Sequence, residues 1–260
     1  IEVNNTLTNI DGLGNLSSVG AYITIQYNPL LTGLNLSNLS SVGELLKIYY
    51  NSLLTNLDGL SNLMMVGGHL KLEGNSSLRD MDGLISLSTV GGDLEIYNHN
   101  ALENINGLGS LGSVGGDLDV YNNDALSNID GLARLTTVSG RLYIVGNSEL
   151  ANMDGLSQLS SVGGYLNINS NTSLDRFCGL YLLLNAAGLG DSYSVYDNLA
   201  NPTQGQVVDD GPCPIIIEGD VSLYTQEDVD SFMGSVIEGE LTIQGSGILS
   251  LLPLSVLETV

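Results

Sequence analysis

Apolar residues recur along this chain at a fixed interval. Val19, Val42, Val66, Val90, Val114, Val138 and Val162 stand 24 residues apart, except for a first interval of 23. Four and six residues after each valine comes an apolar pair, from Ile23 and Ile25 to Leu166 and Ile168. Alternation of period two predicts a strand with one buried face. Nine residues after each valine stands Asn28, Asn51, Asn75, Asn123, Asn147 or Asn171, with His99 the exception. Asparagine tolerates left-handed backbone and bonds neighbouring main chain, so this column predicts a ladder of turns. Two more apolar columns follow, Leu31 through Leu174, then Leu34, Leu57, Met81, Ile105, Ile129, Met153 and Phe177. Asp-Gly or Asn-Gly corners come next, from Asp58-Gly59 to Asp154-Gly155, where glycine is expected to supply a positive φ.

One such repeat holds too few apolar side chains for a core of its own, so it must bury them against the repeats before and after it. The pattern predicts a mainly β fold over residues 1–177: a right-handed parallel β-helix, or solenoid, of 24-residue coils stacked at about 4.8 Å. An antiparallel sandwich would need hairpin turns every 8 to 12 residues or so. The constant register argues against it.

Regularity stops after Phe177, where Cys178 replaces the corner aspartate. The run from Cys178 to Gly190 is rich in helix formers and predicts a short helical cap over the end of the stack. Residues 191–212 are polar, carry Asn201-Pro202 and Gly211-Pro212, and read as a loop or linker, so that 178–213 form a cap and linker. From 214 to 260 a second solenoid begins: a strand over 215–223, a short helix over 225–232 with Thr225 as N-cap, and a strand over 239–243.

Composition changes the picture in two ways. Only 13% of the residues are charged, against about 25% in globular domains, so Asn, Ser, Thr and Gly must cover the surface. The net charge is −23, from 29 Asp and Glu against 6 Lys and Arg, which repels phosphate backbones and anionic headgroups and makes nucleic acid and membrane surfaces poor candidate partners. Such charge serves solubility and self-repulsion, or suits divalent cations or a saline medium.

Cys178 and Cys213 flank the irregular segment and are the only cysteines. A disulfide between them, and an oxidising, extracellular or cell-surface location, is the expectation. The longest strongly apolar stretch, Gly179 to Gly190, is shorter than the roughly 20 residues of a membrane span. The chain opens in mid-repeat, which reads as a mature fragment of a longer head-to-tail array.

Coils such as Asn128-Ile-Asp-Gly-Leu-Ala-Arg-Leu-Thr-Thr-Val-Ser-Gly-Arg-Leu-Tyr-Ile144 resemble the bacterial and archaeal relatives of the receptor L domain. The resemblance covers residues 1–177 well and 215–260 partially. It implies right-handed β-helices with leucine-rich-repeat-like coils in large secreted or wall-attached proteins. Animal members bind protein ligands, but this chain lacks their Cys-rich modules.

Catalytic chemistry finds little purchase. Lys47, Lys71, Arg79, Arg134, Arg141 and Arg176 are scattered, His69 and His99 sit in different columns, and no Ser-His-Asp or Cys-His spacing is present, so no enzyme is expected. The outward strand positions are richer. Stacking places Asp93 beside Asp117 and Glu95 beside Asp119, a four-carboxylate patch that either binds calcium or is simply a solvated acidic face, and no calcium-loop motif accompanies it. Tyr49, Tyr97 and Tyr121 share one column with Tyr27 and Tyr50 adjacent, which suits sugar or protein contacts, or merely a cross-strand aromatic ladder. Asn-x-Ser/Thr sequons begin at Asn4, Asn15, Asn35, Asn38, Asn75 and Asn171. Two function classes follow. One is an extracellular structural protein of a surface layer, sheath or filament; the other is an adhesin or receptor-like module that binds protein or glycan through the Tyr-rich face.

Overall fold

Repeats of constant length pair in parallel, like residue against like. In the computed structural model, residues 1–214, 216–218, 221–223, 225–226, 229, 236–238 and 241–244 are described. The chain divides into two compact units, Ile1–Pro212 and Cys213–Val260.

In the first unit each repeat contributes a short strand ending at its valine and a longer one over its apolar pair. They are β1 (Ser18–Val19) and β2 (Tyr22–Gln26), β3 (Ser41–Val42) and β4 (Leu45–Tyr49), β5 (Met65–Val66) and β6 (Leu70–Glu73), and β7 (Thr89–Val90) and β8 (Leu94–Tyr97). The series continues with β9 (Ser113–Val114) and β10 (Leu118–Tyr121), β11 (Thr137–Val138) and β12 (Leu142–Val145), and β13 (Ser161–Val162) and β14 (Leu166–Asn169). The short strands build a seven-stranded sheet, and the long ones, joined by β15 (Tyr193–Tyr196), an eight-stranded sheet. Every pairing is parallel; Leu118, for example, lies between Leu94 and Leu142. This is a mainly β, solenoid-like fold whose core is the inward residue of every column. From Leu46 to Leu174 these side chains are almost wholly buried.

The Asp-Gly corners are single 3-10 turns, Asp58–Leu60, Asp82–Leu84, Asn106–Leu108, Asp130–Leu132 and Asp154–Leu156, each packed on the next. An Asn or Asp two residues earlier accepts the first backbone N–H, as from Asp58 to Asn56 Oδ1 at 3.2 Å. The corner glycines do not take a positive φ, contrary to expectation. What requires glycine is close approach. A Cβ on Gly59 would lie 1.2 Å from the Leu34 carbonyl oxygen, and one on Gly107 1.6 Å from that of Met81.

The asparagine column is a buried ladder. The N–H and Nδ2 of Asn51 both donate to Asn75 Oδ1, at 3.0 and 3.2 Å, and Nδ2 also donates to the Ile25 carbonyl at 3.0 Å. Left-handed backbone occurs one residue earlier, at Tyr27, Tyr50, Gly74, Asn98, Asn122, Gly146 and Ser170, not at the asparagines. The chain must reverse on leaving the strand, and that turn points the next side chain inward to bond its neighbours.

Beyond Phe177 the repeat expands instead of ending. A 3-10 turn at Cys178–Leu180 continues into α1 (Tyr181–Asn185), and β15 then pairs with β14, Leu166 opposite Tyr193. Asn198 extends the ladder, accepting from the N–H and Nδ2 of Asn171 at 3.1 Å each. Helix α2 (Gln204–Asp210) opens with a capping box between Thr203 and Gln206. The stretch 191–212 is therefore a strand and a helix, not a loop or linker. Leu183 of α1 and Val207 of α2 join the main core, and α2 packs on α1 and on the last 3-10 turn. At the other end of the stack, the first repeat holds Leu7, Leu16, Val19 and Ile23 only half-buried.

The second unit contains β16 (Ile216–Glu218), β17 (Val221–Leu223), β18 (Val236–Glu238) and β19 (Leu241–Ile243). β16 pairs with β18 and β17 with β19, both in parallel. The stretch read as one strand over 215–223 holds two, and Val221 pairs with Leu241, an offset of 20 residues instead of 24. Most of the helix expected over 225–232 lies outside the described residues. Cys178 and Cys213 form the expected disulfide.

Candidate interaction face

Inward positions repeat because the core demands it, whereas the outward positions of the eight-stranded sheet change chemistry from repeat to repeat. One outward column runs Thr24, Lys47, Lys71, Glu95, Asp119, Tyr143. Its neighbour runs Gln26, Tyr49, Glu73, Tyr97, Tyr121, Val145. Tyr49, Tyr97 and Tyr121 do share a column, as the repeat implies, but Glu73 separates the first from the other two.

The tyrosines form two groups. Tyr27 and Tyr50 stack at 5.2 Å and 7°, with Tyr49 edge-on to both at 5.4 and 5.5 Å. Tyr97 and Tyr121 stack at 4.5 Å and 10°, with Tyr143 edge-on to Tyr121 at 5.9 Å. Glu73 joins them: the Tyr50 and Tyr97 hydroxyls donate to its two carboxylate oxygens at 2.5 and 2.6 Å. The hydrogen bond to Glu73, helped by burial, pushes the Tyr50 phenol up to about 12. Burial first and Glu73 second push the Tyr97 phenol up as well, and burial does the same to Tyr121. None of these phenols is disposed to ionise at neutral pH, so this face offers hydroxyl donors and aromatic surface, not phenolate.

The four carboxylates do not stand as a bare acidic patch. Lys71 is ion-paired with Glu95, and His69 Nδ1 accepts the Asp93 backbone N–H at 3.0 Å. Arg141 grips Asp119 with two hydrogen bonds, at 3.0 and 2.7 Å, and reaches Asp117 at 3.4 Å. Asp93 and Asp117 also accept the backbone N–H groups of Asp117 and Arg141 at 2.9 Å. The side chain of Asp119 is only 8% exposed. Burial pushes its carboxyl up, and Arg141 draws it part of the way back; Asp119 in turn pushes the Arg141 guanidinium up. Among the described residues these carboxylates form no group in which three acidic, His or Cys ligand atoms lie within 4.8 Å of one another. The repulsion that motivates calcium is thus offset by the chain's own cations.

Sequence reasoning missed Glu73, Arg141 and His69 as members of this face. Each lies at an outward position fixed by the repeat, so the spacing alone could have found them. Two of the sequons are closed off: Asn75 and Asn171 are fully buried rungs of the ladder, unlike the exposed Asn4, Asn15, Asn35 and Asn38. Comparison of the chain with family models, with curated proteins and with solved structures gives no match in any of the three.

Proposed function

We propose that this chain is an extracellular, non-enzymatic scaffold: a right-handed β-solenoid of 24-residue coils that serves as a structural element of a surface layer, sheath or filament. The observation that carries the reading is the unbroken register of both sheets together with the buried asparagine ladder, which makes each repeat a rigid spacer locked to its neighbours. The Cys178–Cys213 disulfide suits an oxidising compartment. Among the described residues no helix is long and apolar enough to cross a membrane. The outward cations Lys71 and Arg141 are engaged in ion pairs, which argues against acid–base work on this face. Stacking head to tail on another copy, or in a tandem array, belongs to this reading. The likeness to prokaryotic relatives of the receptor L domain agrees with this reading, on the coil residues alone.

A second reading, an adhesin or receptor-like module that binds protein or glycan, draws on the outward face. There the side chains pass from Tyr and Lys to Asp and Arg while the core stays constant. Antibody labelling of intact cells that make the protein tests the location on which both readings depend. Labelling without permeabilisation is the expected result; labelling only after it overturns them. Light scattering of the purified chain then separates them, since concentration-dependent assembly favours the scaffold and a persistent monomer favours the module.

A further inference from the structure

The residue before each ladder asparagine takes left-handed backbone, and most repeats fill that place with Gly, Asn or Ser, which suit it. Tyr27 and Tyr50 depart from this, at φ 53° each. A bulky side chain in that region is strained, and neighbouring repeats show that the turn forms without one. The two residues nevertheless remain 44% and 40% exposed, their rings stacked on one another with Tyr49 edge-on to both.

Lys47 adds charge to this corner. Its Nζ lies 3.9 Å from the centre of the Tyr49 ring. Unlike Lys71 and Arg141 on the same face, it has no carboxylate within ion-pair reach among the described residues. An ammonium left without a carboxylate is conspicuous in a chain of net charge −23. Aromatic surface and one cation together match a ligand with apolar C–H faces and a negative charge. An acidic peptide would dock most readily as an added strand, but the edge of β2 beside the triad is already taken. Val3 donates to the Gln26 carbonyl and Gln26 to that of Ile1, at 3.0 Å each.

We propose that Tyr27, Tyr49, Tyr50 and Lys47 form a binding site for an anionic saccharide, one that carries uronic-acid or sulfate groups. The sugar lies against the tyrosine triad and its acidic group meets Lys47. The proposal rests on the outward sheet face being a recognition surface.

Titration calorimetry on the whole chain tests it, with oligogalacturonate and a heparin-derived oligosaccharide as probes and a malto-oligosaccharide and poly-glutamate as comparators. At least one anionic saccharide is expected to bind, more weakly as salt rises. Lys47→Gln and Tyr50→Asn should each weaken it by about tenfold, while Tyr143→Asn leaves it unchanged. Asparagine suits the left-handed turn at position 50, so that variant removes the ring and keeps the fold. The site is overturned if neither anionic saccharide binds at millimolar concentration, if a comparator binds as well, or if Lys47→Gln has no effect. None of those results touches the scaffold reading, whose surface labelling is read independently.

Discussion

Asn75 and His99 stand on successive rungs of one ladder without the bond that joins the other rungs. Between successive asparagine rungs a carboxamide oxygen accepts two hydrogen bonds from the rung before it, as Asn147 Oδ1 does from Asn123 at 3.1 Å each. The imidazole of His99 cannot do this. Its Nδ1 lies 3.3 Å from the Asn75 carbonyl, and its Nε2 is buried without a partner.

Replacing His99 with asparagine is therefore expected to stabilise the protein. Two hydrogen bonds from Asn75 are restored, at roughly 1 kcal/mol each. Thermal melts at pH 7 read the outcome; a lower melting temperature for H99N than for the native chain contradicts the ladder geometry.

The same residue sets an acid limit. Burial lowers the His99 imidazole to about 4, against the resistance of the Asn75 carbonyl. In the unfolded chain it protonates near 6.5, so between these values the unfolded state binds more protons and stability falls as pH is lowered. The loss, complete below pH 4, is on the order of 3 kcal/mol. Denaturant titrations from pH 7 to pH 4 should show it in the native chain, with that component absent in H99N.

At the corners, space decides. Gly107→Ala would press a methyl group into the Met81 carbonyl and force the repeats apart, a destabilisation of about 2 kcal/mol or more. Gly112→Ala meets nothing closer than 3.9 Å and should fall within about 0.5 kcal/mol of the native chain. Equal effects at the two positions would remove close approach as the reason for glycine.

Arg141→Gln takes the cation from Asp117 and from the nearly buried Asp119, and a loss of about 2 kcal/mol is expected. Calcium added to chelator-stripped native protein should leave the melting temperature unchanged, since Lys71 and Arg141 already pair with Glu95, Asp117 and Asp119. A rise with ligand concentration would restore calcium to this face.

The disulfide is checked by mass. Alkylation without reductant should add nothing to either cysteine, and reduction first should add two labels. Labels without reductant would remove the main support for an extracellular location.

The core was legible in the sequence because a single periodicity fixes strand, face and register together: Val114, Leu118 and Val120 could belong nowhere else. What escaped the spacing was what neighbouring repeats do to one another. Gly59 was assigned a dihedral role when its constraint is a carbonyl in the repeat before it. The eighth long strand was hidden by length alone: Leu189, Tyr193, Val195 and Asn198 keep the template, but three extra residues around α1 shift it out of phase. Glu73 reads as a surface charge until Tyr50 and Tyr97 are seen to close on it from both sides.

The ladder also has a direction. From Asn4 to Asn51, and again from Asn123 to Asn171, each amide donates to the carboxamide oxygen of the rung of higher number, so the bond dipoles add along the stack and polarise one another. His99 is where that addition stops, leaving one polarised run from Asn4 to Asn75 and another from Asn123 to Asn198. In a linear array the weakest junction sets where cooperative unfolding divides. Between the third and fourth long strands the ladder bond is missing, and the Lys71–Glu95 pair and the Tyr97–Glu73 hydrogen bond join the two repeats on the outer face instead.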